Sequence, residues 1–133
     1  MTKTDPDFDS QISAERMLVA TLFEAARAGE TTIKENILSS VKEDDFADQA
    51  SEVVFHIVKQ LIESRVPVSR AVVEAAEDPP GVFSPIDRAA VLDTPPITDD
   101  SLVKAAIETV TRAAGLRRAR VALEDAATAI GEA

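Results

Sequence analysis

Apolar residues recur every three or four positions through most of the chain, and each such run predicts a helix. The first run is Ile12, Met17, Leu18, Leu22 and Phe23, with Ser10 or Ser13 as its cap and Gly29 as its C-terminal stop. Residues 1–9 precede it as a flexible tail. Thr32 and Glu35 read as a capping box for a short second helix carrying Ile33, Ile37, Leu38 and Val41. An acidic turn, Lys42-Glu43-Asp44-Asp45-Phe46, follows, with one aromatic of buried type. Val53, Val54, Ile57, Val58, Leu61 and Ile62 then form one continuous helical face, ended by Pro67. Their β-branching disfavours helix slightly, but the 3.6-residue period outweighs it. Ser69 caps a helix with Val72, Val73 and Ala76, and Asp78-Pro79-Pro80-Gly81 is a loop. Pro85 suits the first turn of a short helix through Leu92, and Asp93-Thr94-Pro95-Pro96 is a second loop. No useful period-two run and no internal repeat occurs. The fold class is all-α: a compact head of about five short helices over residues 10–97, then one long helix over about 98–131, together one domain over 10–133.

The long helix is capped by Thr98 or Asp99 and has a pattern of its own. Leu102, Thr109, Leu116, Leu123 and Ile130 alternate with Ala106, Ala113, Arg120 and Ala127 in a 3.5-residue seam of coiled-coil type. In its first half a second stripe runs alongside: Val103, Ile107, Val110 and Ala114. The first half therefore suits a globular core and the second suits one partner helix, which the alanines let approach closely. Gly115 stands at the change-over, where it can bend or weaken the helix. The competing reading is that the seam packs wholly within this chain.

Composition narrows the function classes. The 133 residues carry 24 acids against 14 bases, a formal charge of −10. That opposes a general nucleic-acid binder and a polybasic membrane anchor. Cysteine is absent, so thiolate metal sites, disulfides and thiol catalysis are excluded and a cytoplasmic location is expected. No apolar run approaches the ~20 residues of a membrane span, and the polar, acidic first residues lack a signal-peptide pattern.

The chemical inventory is thin. His56 is the only histidine, and no second histidine or cysteine supports a zinc site or a triad. Glu43, Asp44, Asp45 and Asp48 lack the alternating spacing and central glycine of a calcium loop, and read as solvated loop and helix N-terminal charges. The four glycines form no phosphate loop. The expectation is a non-enzyme with no cofactor, metal or catalytic residue. Arg112, Arg117, Arg118 and Arg120 form the one local charge reversal, uninterrupted by an acid. They read as solubilising charges with salt bridges to an acidic body, as a partner-binding patch, or as the basis of a small DNA-binding regulator.

The order of motifs resembles the N-terminal domain of the DnaB family of replicative helicases. Ala14-Glu15 before the run from Met17 to Phe23, Glu43-Asp44-Asp45-Phe46, Val54-Phe55 continuing to Leu61, Pro67-Val68, Pro95-Pro96 and Leu116-Arg117-Arg118 stand in the family's order. Together they span about residues 12–131. The family's tyrosines are absent, and neither a second hairpin arm nor an ATPase domain follows within the chain. The resemblance implies a DnaB N-terminal-like fold and a role in DNA replication at the primosome, with the replicative helicase or primase as partner. With the seam, it leads to an interaction module. Leu116, Leu123, Ala127 and Ile130 would bury against a partner helix, and Arg117 and Arg120 would line the rim. The partner is the helicase, primase or a second copy as a homodimer, with no direct nucleic acid and no membrane.

Overall fold

The computed structural model describes residues 6–76 and 85–132. Six helices follow in order: α1 Pro6–Ala28, α2 Thr31–Ser40, α3 Gln49–Glu63, α4 Arg70–Ala75, α5 Pro85–Leu92 and α6 Asp100–Glu132. A 3-10 turn, Glu43–Asp45, lies between α2 and α3, and no strand occurs among the described residues. The chain is all-α, and among the described residues five helices stand ahead of a 33-residue final one.

Helix starts depart from the expected caps in two places. α1 begins at Pro6, so residues 6–9 are helical and Ser10 and Ser13 lie inside the helix. Proline suits a first helical position, since its φ is already helical and its missing N–H would have no helical acceptor. At 23 residues, α1 is also longer than the short helices expected of the head. The remainder of the expected tail, 1–5, lies outside the described residues, as does the expected loop at Asp78–Gly81. The capping box of Thr32 and Glu35 does not form: α2 starts at Thr31 with Glu30 as N-cap. Gly29 and Glu30 alone link α1 to α2, which brings the N-cap two residues ahead of Thr32.

Other boundaries follow local chemistry. Gly29 stops α1 at φ 77°, and the Glu30 N–H reaches back to the Ala25 carbonyl at 2.8 Å, the bond that closes a left-handed helix cap. α3 ends in the same motif without glycine. Arg65 takes φ 59°, and the Arg65 and Val66 N–H groups bond the Ile62 and Leu61 carbonyls. Ser69 caps α4 by accepting from the Val72 N–H, and the Asp99 carboxylate accepts from the Ser101 N–H at 2.8 Å at the start of α6. Gly115 does not interrupt α6.

α1 is the hub, packed against α2, α3, α5 and α6. It buries Leu18, Val19 and Leu22 completely; α3 adds Val54, Phe55 and Val58. Phe46, the aromatic of the acidic turn, is buried and meets the Phe55 ring at 4.9 Å between centroids. Thr21 ties the chain before α6 to α1: its hydroxyl donates to the Met17 carbonyl and accepts from the Ile97 N–H at 2.8 Å. Arg88 of α5 is buried too, donating to the Val73, Glu74 and Ala76 carbonyls at the C-terminus of α4.

Candidate interaction surface

α6 has two lives along its length. Val103, Ala106, Val110 and Ala114 are buried against the head, with Ile107 half-buried. Of the 3.5-residue seam, only Ala106 joins that face fully; Leu102 and Thr109 are exposed. The head takes the stripe one position further along, about 100° around the helix from the seam. Beyond Ala114 no described residue of α6 is buried. Leu116 is 66% exposed, Leu123 71% and Ile130 77%. Arg120 and Ala127 are exposed as well. The described part of this chain does not cover the distal seam.

Arg117 makes a contact beyond the one expected. Its Nη2 donates to the Asp45 carbonyl at 2.7 Å, while its Nη1 is buried without a hydrogen-bond partner. It ties α6 to the 3-10 turn, a contact within the chain in addition to the rim position expected of it. Arg118 donates to the Asp45 carboxylate at 2.5 Å and lies 3.2 Å from that of Asp44. Two of the four arginines are thus spent on acids and carbonyls of the head, which weakens the DNA-binding reading of 112–120.

Within the acidic run Asp44 is exposed and Asp48 stands at the N-terminus of α3, as expected of solvated and helix-terminal charges, whereas Asp45 is buried. Asp45 is 4% exposed and also accepts from the Lys42 N–H at 2.9 Å. The Asp48 carboxylate takes hydrogen bonds from Arg16 Nε at 2.8 Å and the Ser51 hydroxyl at 2.7 Å. Burial pushes its carboxyl up, but the Arg16 and Ser51 hydrogen bonds outweigh that and hold it below its ordinary range. His56 Nδ1 lies 2.7 Å from the Glu43 carboxylate, joining α3 to the turn.

Glu15 completes this polar cluster. It is fully buried on α1, and accepts from the Asp48 N–H and from Gln11 Nε2, both at 2.9 Å. Burial raises its carboxyl above the ordinary value, against the pull of those hydrogen bonds and of the Arg117 charge. The sequence reading assigned no role to Glu15 or Arg88. The signal was helical phase. Glu15 stands three and four residues before Leu18 and Val19, and Arg88 three before Val91, so each charge falls on a core face.

An open groove of about 480 Å³ runs between α2 and the first half of α6, with Ile33, Val103 and Ile107 as its apolar lining. Its polar lining, including Asn36, Lys104 and Glu108, is exposed, so no buried charge is aimed into it to fix a ligand. Among the described residues no group of three or more His, Asp or Glu side chains could hold a metal ion. No helix among them is long and apolar enough to cross a membrane. No protein-family model matches the chain, and no curated protein matches it.

Proposed function

We propose that this chain is a non-enzymatic protein-interaction module whose working surface is the distal half of α6. One observation carries the reading: Leu116, Leu123 and Ile130 form an exposed apolar stripe on a helix that the described part of the chain leaves uncovered. Scattered exposed leucines are ordinary; a stripe of them at seven-residue spacing is the pattern of a helix contact. Each large side chain contributes about 1.5–3 kcal/mol if fully buried by a partner. Ala119, Ala126 and Ala127 lie beside the stripe and allow close approach, and Arg120 flanks it, where a charge sets partner choice more than affinity.

The motif order shared with the DnaB N-terminal domain supports the replicative helicase or primase as partner, in DNA replication in the cytoplasm. The test is light scattering after size exclusion, with the chain alone and mixed with the helicase or primase of the same cell. Leu123→Asp is expected to abolish the complex while leaving the helical circular-dichroism signal intact. Binding at unchanged affinity would remove the stripe as the interface.

A further inference from the structure

The exposed stripe lies on a segment whose charge is split along its length. Residues 112–120 hold four arginines and no acid, of which Arg117 and Arg118 are bonded to the head and Arg120 is exposed toward the distal half; residues 121–132 hold Glu124, Asp125 and Glu132 and no base. Such a segment is complementary to itself when reversed and repels itself when aligned in parallel.

We infer that a second copy of this chain covers the stripe, its α6 running antiparallel and centred on Leu123. The inference rests on the reading of α6 as an interaction helix and adds the occupant, its direction and its register. With Leu123 facing Leu123 of the other copy, Leu116 falls opposite Ile130, and Ala119 opposite Ala127. The three large side chains of each stripe then meet large side chains, while Ala126 falls opposite Arg120. In this register Arg120 is offset by two residues, about 3 Å along the axis, from Glu124 of the other copy, within reach of its long side chain. A parallel pair would set Arg120 beside Arg120 and Glu124 beside Glu124, which is unfavourable.

The size of the contact sets its strength. From Leu116 to Ile130 the helix rises about 21 Å, so the pair lies at the small end of specific interfaces, and its population should depend on concentration.

The chain has no cysteine, so single introduced thiols report proximity without background. Under mild oxidation Leu123→Cys should form a disulfide-linked dimer, because an antiparallel centre places residue 123 beside itself. Leu116→Cys alone and Ile130→Cys alone should remain largely unlinked, while a mixture of the two should link to each other. In sedimentation the chain should show a monomer–dimer equilibrium. Arg120→Glu should weaken it about tenfold through like charges, and adding Glu124→Arg to that variant should restore it. A chain monomeric at every concentration, or Leu116→Cys self-linking as readily as Leu123→Cys, overturns the inference. If the chain is monomeric yet binds helicase or primase and loses that binding with Leu123→Asp, self-pairing fails while the interaction reading stands. If pairing holds and neither partner binds, it is the replication partner that fails.

Discussion

Glu15 and Asp48 are joined by a hydrogen bond, yet they titrate in opposite senses. Asp48 is held below its ordinary range. Its stabilising effect is therefore full above its unfolded value and is lost as pH falls through the lowered folded value. Glu15 is raised, so its protonated form fits the fold better. Its contribution is full below the ordinary glutamate range and is lost as pH rises through the raised folded value. Glu15→Gln keeps an acceptor for the Asp48 N–H and has no charge to desolvate. Urea unfolding from about pH 4 to about pH 7 should therefore show the difference between variant and wild type moving in favour of the variant as pH rises. A difference that stays level would mean that Glu15 titrates alike folded and unfolded.

At the scale of the element, α6 is one helix with two supports. Up to Ala114 it is held by packing; at Arg117 and Arg118 it is held by hydrogen bonds to the 3-10 turn. Past that point the described contacts with the head cease, and helix propensity carries more of the load. Gly115 sits at the transition, and a Cβ added there meets nothing within 4 Å. Gly115→Ala should therefore stabilise the helix by about 0.5–1 kcal/mol. It should also slow amide exchange over residues 119–130, measured by hydrogen–deuterium exchange. Equal or faster exchange would show that this glycine is not the weak point between the two halves.

Over the whole molecule, burial separates residues that look alike in sequence. Leu22 is fully buried and Leu123 is 71% exposed, although both sit at helical core spacing. Leu22→Ala should cost about 2–5 kcal/mol of folding stability. Leu123→Ala should change the stability of the dilute chain by no more than about 0.5 kcal/mol, while reducing association. Parallel unfolding and sedimentation measurements on both variants check this division between a head that folds and a helix that binds. A large loss of stability from Leu123→Ala would return the stripe to the core.

Helical period, the stops at Gly29 and after Leu92, the Ser69 cap and the face of α3 were all legible in the chain, because each depends on neighbours a few residues away. The 3.5-residue seam of α6 was legible for the same reason. Which of its two parallel stripes the head would take was not. Val103, Val110 and Ala114 and the seam residues beside them have the same local signature, and only α1 and α2 packing on one side separates them. Arg117 shows the limit most clearly. Its spacing places it beside a leucine seam, while its partner, the Asp45 carbonyl, lies 72 residues away in sequence. Asp45 itself belonged to a run of acids that local composition marks as solvated, and tertiary packing buried it under that arginine. Period and capping are properties of a short stretch of chain. Burial, and with it the difference between a core charge and a surface charge, is set by segments distant in sequence that meet only when the helices pack.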